Sequence, residues 1–437
     1  MQVDKITQND LSIFNTEEDQ SIFHHINFTT TNGGREYLRL LLSNPLESSD
    51  AIIQTQKTIQ HLQSIVLQWP VNPTNGTIMV LEKYYETAVD NYPAVPEYFN
   101  SWWYKFWHKD DYSFTMFSVQ HTMDFVKGMQ IIVDNISINN QSNHLHTIAQ
   151  ELTLLLDKPI IQEMIQKNKN TLTPIEMLVY ANFIKYRFKQ QAIALMNIYH
   201  QLDAYMSLAK AGIKYDFCLP EFVEQTAPLM AVDGLYHFLV QHPIDYTVNL
   251  HEKENFLFLT GANMAGKSTF IKAAGIAVYL AHIGMGVPAQ KMRLTYFDGL
   301  LSNIQVMDNI AKGESFFFNE VQRIKSTINR ISDGKKWLIL IDELFKGTNQ
   351  QDAVKCSTTV IEGLRKMNNA LFILSTHLYE IGEPLKQYSN IQFRYFETSV
   401  HNDQLSFSYQ LKEGISNDRL GYLILKREGV VDLLEKC

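Results

Sequence analysis

The sequence predicts an α + α/β protein, a helical lever-like domain followed by a domain built on a mostly parallel sheet. Three observations carry this. Through the first half, apolar residues recur at three- and four-residue steps, the period of amphipathic helices. After "CLPEF" the texture changes to short continuous apolar runs, "FLFLTG", "WLILIDE" and "ALFILSTH", each ended by polar residues and separated by helical segments. Such runs are strands buried on both faces of a parallel sheet. The 437 residues exceed one small domain, and a boundary near residue 222 divides them into 1–221 and 222–437.

Taken in order, "GGREYLRLLLSNPL" places Tyr37, Leu38, Leu41 and Leu42 at helical spacing before Pro45 stops the run. "SSDAIIQTQKTIQHLQSIVLQW" is a second amphipathic helix, capped by Ser48, Ser49 or Asp50. Between Trp69 and Pro96 the prolines, Gly76 and asparagines read as a linker. The aromatic segment "YFNSWWYKFWHKDDYSF" reads first as an apolar helix packed in a core, since aromatic stripes mostly fill cores; stacking on bases is the alternative. From about 145 to 215 the pattern is helical almost without break, and "TPIEMLVYANFIKYRFKQQAIALMNIYHQLDAYMSLAKAG" predicts one long or two stacked helices forming a lever.

Bulk numbers narrow the classes. A net charge of −8 gives no support to nucleic-acid binding, although a local basic stripe can act on an acidic protein. Cys218, Cys356 and Cys437 have no metal-ligand spacing, and their scarcity suits a reducing cytoplasm. "MQVDKITQND" does not read as a secretory signal, and the longest apolar stretch, after Lys272, is interrupted by His282 and closed by Pro288, too short to span a membrane. The expectation is a cytoplasmic protein.

The chemistry concentrates in "GANMAGKST". It satisfies G-x-x-x-x-G-K-[ST] between an apolar strand and a helix, "KSTFIKAAGIAVYLAHI", the setting that makes this loop a phosphate cradle. Gly261 and Gly266 let the backbone curl, so that N–H groups from Gly261, Ala262, Asn263, Met264, Ala265, Gly266, Lys267, Ser268 and Thr269 converge on one anion. The new helix turns its positive end to the same place. Lys267 would reach the β- and γ-phosphates of ATP, and the Ser268 hydroxyl would ligate Mg²⁺. "WLILIDE" sets Asp342 at a strand end, where it can hold Mg²⁺ directly or through water. Glu343 follows, able to orient or deprotonate an attacking water. "LFILSTH" ends a third strand in Ser375, Thr376 and His377, and a histidine there can sense the γ-phosphate.

These residues resemble the MutS proteins of DNA mismatch repair, whose ATPase domain is of the ABC class. "TGANMAGKST" is similar to the family's P-loop, with Ala262 where a proline is usual. "DELFKGTNQQDA" resembles its acidic motif and following loop, which assigns Asp342 and Glu343 the Mg²⁺ and water-activating roles and sets Gly347 and Thr348 toward a partner subunit. "STHLYEI" is similar to its switch motif, carrying the role onto His377. "DNIAKGESFFFNEV" resembles its signature loop, in which Ser315 would complete the ATP site of the opposite subunit. Glu314 and Phe316 stand there where an arginine and a threonine are common. Upstream, "TTNGGREYLRLLLSNPL" and "QLDAYMSLAKAGIKYDFCLPEF" resemble the two ends of the family's helical core.

The resemblance implies ATP and Mg²⁺ as ligands, a homodimer through the ATPase domains, and DNA as a partner. It also implies an expected absence of the family's mismatch-reading and connector domains, of most of its clamp, of its carboxyl-terminal dimerising segment and of a nuclease module. Two functions follow. One is an ATPase that hydrolyses ATP at composite dimer sites to drive a lever on DNA, with Lys105, Lys109, Lys167 and Lys169 as candidate phosphate contacts. The other is a regulatory ATPase that acts on a protein partner without DNA. An inactive nucleotide-binding scaffold is a third reading, opposed by the intact Asp342–Glu343 pair.

Overall fold

The computed structural model describes residues 1–437 except 90–91, 94–95, 139–140, 305–315, 402–403, 417–429, 431–432 and 434–437. The chain forms two compact units. One comprises Met1–His25, Pro45–Ile53 and Lys214–Cys437, the other Ile26–Asn44 and Gln54–Ile213.

The first unit holds all the described strands: β1 (Gln2–Val3), β2 (Glu221–Phe222), β3 (Leu229–Leu235), β4 (Tyr246–His251), β5 (Phe256–Thr260), β6 (Lys291–Leu294), β7 (Gly299–Asn303), β8 (Trp337–Asp342), β9 (Ala370–Ser375), β10 (Ile391–His401) and β11 (Gln404–Glu413). A seven-stranded sheet has the order β1-β7-β8-β9-β5-β10-β11, and a four-stranded sheet the order β2-β6-β3-β4. The large sheet is parallel except for β10 against β11. The three apolar runs of the sequence are its centre: β5, β8 and β9 are buried at every position, as strands covered on both faces must be.

On one face pack the helices Phe316–Ile331 and Gln350–Leu364. Ile324 and Ile331, with Phe317, Val321 and Ile328 beside them, form a stripe at four- and three-residue steps against Phe258, Ile339 and Leu374. The helix Lys267–Ile283 packs against β8 and β9 and is buried along most of its length. Its carboxyl end is closed by Gly284 at φ 83°.

The division differs from a single cut at 221/222, because residues 1–25 are tied to the strands. β1 pairs parallel with β7. Thr7 accepts the Ser302 N–H at 2.9 Å, and the buried Asp10 accepts the Ser302 hydroxyl at 2.5 Å and the Ile304 N–H at 3.0 Å. Asp4 pairs with Arg323 at 2.9 Å and Arg330 at 3.1 Å. Strands of two residues leave no periodic trace, so this segment reads from sequence as part of the helices around it.

The second unit is helical, with Asn32–Ser43, Asn75–Glu86, Tyr98–Trp107, Lys109–Ser137, Asn143–Leu156, Pro159–Gln166 and Pro174–Arg187 among its elements. The expected lever stretch is two helices, Pro174–Arg187 and Lys189–Lys214, broken at Phe188. The expected linker at 69–96 contains the helix Asn75–Glu86. Thr74 caps it by accepting the Thr77 N–H, and Ile78, Leu81 and Tyr84 are buried; the prolines flank the helix instead of interrupting it. The aromatic segment is a correction to the core reading: of the helix Tyr98–Trp107, only Ser101 and Tyr104 are buried.

Candidate functional site

The site stands at the carboxyl ends of β5, β8 and β9, where parallel sheets present ligands because the loops leave there. After Thr260 the chain turns through Gly261 at φ 140°, where a Cβ would lie 3.2 Å from the Cβ and carbonyl oxygen of Phe396. Gly266 at φ 105° then starts the helix Lys267–Ile283. Both conformations belong to glycine. Met264 also takes a positive φ, 70°.

No side chain caps this helix. Elsewhere Thr31, Thr74, Ser142, Thr173 and Asn349 each accept an N–H from the first turn of their own helix. Here the first-turn donors and the positive end of the helix dipole are left for an anion. Lys267 is buried, its Nζ donating to the carbonyls of Gly261 at 2.7 Å and Ala262 at 3.0 Å. Burial lowers the pKa of its ammonium, and the carboxylates of Glu343 and Asp342 oppose that shift. A buried cation held by two carbonyls is poised to exchange them for a phosphate.

Asp342 ends β8, buried, and accepts two hydroxyls: Ser268 at 2.5 Å and Ser375, at the end of β9. Glu343 turns the other way, at φ 62°, with its N–H on the Ser375 carbonyl at 3.0 Å. Its carboxylate meets Lys346 at 3.1 Å and His377 at 3.7 Å. Hydrogen bonding from His377, against burial, and the charge of Lys346 hold it down to about 2. Adjacent carboxylates thus have separate surroundings, Asp342 bound by hydroxyls and Glu343 facing Lys346 and His377.

A cavity of about 660 Å³ opens in front of the loop. Asn263, Met264, Gly266, Lys267, Ser268, Thr269 and Glu343 form one wall; His237, Pro243, Ile244, Tyr246 and Tyr409 are among the residues of the other. The loop side is donor-rich; the other mixes aromatic and aliphatic side chains with His237, Gln241 and His242. Ala265 is buried behind the loop, its N–H on the Ala262 carbonyl at 3.3 Å.

The structure therefore brings together Lys267, Ser268, Asp342, Glu343 and His377. Ser315 and Glu314 lie outside the described residues. Sequence reasoning missed Glu320, buried on the helix Phe316–Ile331, which accepts the N–H groups of Lys346 at 3.3 Å and Gly347 at 3.5 Å and so holds the loop after the acidic pair. Its only trace is an acid on the sheet-facing side of an amphipathic helix. The cavity's aromatic wall was missed too, because its residues come from separate loops and strands without shared spacing.

Residues 257–432 match the family profile of MutS domain V. Through that segment the chain is similar to the MutS family. Among its relatives are proteins named DNA mismatch repair protein MutS. That of Petrotoga mobilis is 24% identical over 282 residues, 63% of this chain and 34% of the relative. That of Thermotoga maritima is 28% identical over 53% of this chain and 29% of the relative. That of Pseudothermotoga lettingae is 29% identical over 52% of this chain and 28% of the relative. The chain thus spans about a third of the length of these MutS proteins. Every site residue described above except the aromatic and aliphatic residues from 237 to 246 falls inside the matched MutS segment. No helix among the described residues is long and apolar enough to cross a membrane.

Proposed function

We propose that the sheet unit is a P-loop ATPase of the MutS type, hydrolysing ATP to ADP and phosphate. The observation that carries this reading is the uncapped helix start at Gly266 beside buried Lys267, facing one cavity with Glu343 and close to the Ser268–Asp342 pair. The triphosphate lies along residues 261–269, with Lys267 leaving the loop carbonyls for the β- and γ-phosphates. The base rests against the aromatic wall that includes Tyr246 and Tyr409. Mg²⁺ prefers hard oxygen ligands; Ser268 and Asp342 supply them, and the ion would neutralise phosphate charge. Glu343 orients the attacking water, and His377, half-exposed beside it, contacts the γ-phosphate.

By resemblance, two sheet units pair through their nucleotide sites, Ser315 of each completing the other's. ATP-dependent pairing would move the helical units on DNA, in a process related to mismatch repair. A second reading, action on a protein partner without DNA, is favoured by a specific observation: Lys167 and Lys169 are paired with Glu176 and Asp124, while Lys105 and Lys109 lie over the rings of Trp102 and Phe106.

Steady-state ATP turnover with and without duplex, branched and single-stranded DNA separates the two. Stimulation that fades steeply with salt supports the first; none supports the second. Lys267→Ala should abolish turnover and greatly weaken ATP binding, and Glu343→Gln should retain binding and stop hydrolysis. Normal turnover in Lys267→Ala would overturn the ATPase reading. Ser315→Arg should bind ATP yet fail to hydrolyse it, and mixing it with Lys267→Ala should restore up to one working site per mixed dimer.

A further inference from the structure

The helix Tyr98–Trp107 turns its aromatic side chains outward. Tyr98 is 67% exposed, Phe99 89%, Trp102 46%, Trp103 59%, Phe106 65% and Trp107 66%. At 100° per residue these six positions cover about half the helix circumference. The inner side is fixed: Ser101 and Tyr104 are buried, Tyr104 stacks on His108 with centroids 4.8 Å apart, and Glu97 and Asn100 close a capping box. Scaled by exposure, the six rings offer roughly 800 Å² of apolar surface. That exceeds the few hundred Å² of an ordinary surface patch and equals one side of a standard interface.

We propose that this helix pairs antiparallel with the same helix of a second copy of the chain, across a two-fold axis level with the junction of Trp102 and Trp103. An isologous interface must be complementary to itself, and this helix reads alike from both ends. Aromatic pairs stand at 98–99, 102–103 and 106–107, separated by 100–101 and 104–105, each spacer holding one buried residue. Reversed on itself, the pattern puts Phe99 of one copy opposite Phe106 of the other, with Trp102 and Trp103 each meeting their own copies at the centre. The flanking charges, Glu97, Lys105, Lys109, Asp110 and Asp111, nearly cancel, so two copies do not repel. The same balance disfavours the alternatives: a nucleic acid or an anionic membrane would call for a basic surround, which this helix lacks.

The pairing needs no nucleotide, so it stands or falls separately from the ATPase reading. Sedimentation of the full chain without ATP should give twice the 50.5 kDa of one chain at micromolar concentration. Trp102→Glu with Trp103→Glu should weaken the dimer on the order of 100-fold, to monomer, since central aromatics dominate such interfaces. Orientation is read in a chain with Cys218, Cys356 and Cys437 changed to serine. Trp103→Cys should form a disulfide with itself. Phe99→Cys should not, its copies being separated by roughly 10 Å along the helix axis, but should link to Phe106→Cys when the two are mixed. A chain that stays monomeric, a dimer indifferent to the two glutamates, or Phe99→Cys linking to itself would overturn the proposal. So would a monomer that binds phosphatidylcholine vesicles or a single-stranded oligonucleotide through these rings.

Discussion

The central strands of the large sheet and the aromatic helix of the helical unit are both dense in large apolar residues, and they have opposite fates. Trp337 and Phe372 in β8 and β9 are fully buried, whereas Trp103 and Trp107 stand in solvent. The difference lies in period. A central strand has neighbours on both faces, so every position of a continuous apolar run is inside. A helix packed on one side buries only its inward arc, and in Tyr98–Trp107 that arc holds Ser101 and Tyr104. Composition says that surface is available to bury; periodicity says where it goes.

The sharpest way to break this contrast is to remove one side chain from each region. Ile339→Ala should cost about 2–5 kcal/mol of folding stability, because the sheet between its helices cannot collapse into the space; a denaturant midpoint close to the parent's would show that the centre is loosely packed. Acid should act on the sheet unit next most strongly. His282 is fully buried, donates from Nδ1 to the Val278 carbonyl and accepts the Phe297 N–H at Nε2, and burial pushes its pKa down to about 3. The unfolded chain takes up that proton near pH 6.5 and the folded chain does not, so stability is complete above pH 6.5 and falls as pH drops toward 3. Between pH 7.5 and 5.5 this one group should remove about 1.4 kcal/mol. His237, lowered to about 4 by burial and Lys272, acts in the same direction. Equal stability at the two pH values, or an His282 ring signal that titrates near 6.5 by NMR, would contradict this.

Glu320→Ala should cost less, about 1 kcal/mol, since it leaves the Lys346 and Gly347 N–H groups without their acceptor but also removes a buried acid. Its sharper readout is faster amide exchange at Lys346 and Gly347. The smallest effect is expected at the outer face of the aromatic helix, where Trp103→Ala should change folding stability by no more than about 0.5 kcal/mol, measured with the chain monomeric.

What was legible in the sequence follows the same rule. β5, β8 and β9, the helix Lys267–Ile283 and the residues converging at Asp342 could be read because strong local patterns ended where chemistry began. The helix Asn75–Glu86 was hidden by the prolines around it, though Thr74 supplied a capping signal. Glu320 and the wall at Tyr246 and Tyr409 gave no local signal, since their roles exist only after residues far apart in sequence meet. Exposure of the aromatic helix was visible in principle: six aromatics spread over half the helix circumference make an arc wider than the stripe of about 100° that faces a core.

The tie between residues 1–25 and the large sheet has a consequence for the order of synthesis. Thr7 and Ser302 are bonded across 295 positions, with the entire helical unit encoded between them. During translation the helical unit has all its residues before β7 exists, so it can fold first while the opening segment waits for its strand partner. A fragment begun at residue 214 would carry the glycine loop at 261–266 and both acids, yet would expose β7 as a raw sheet edge and leave Arg323 without Asp4. Any dissection of this protein into a separate sheet unit must therefore carry its first 25 residues along, supplied on the same chain or added back as a peptide.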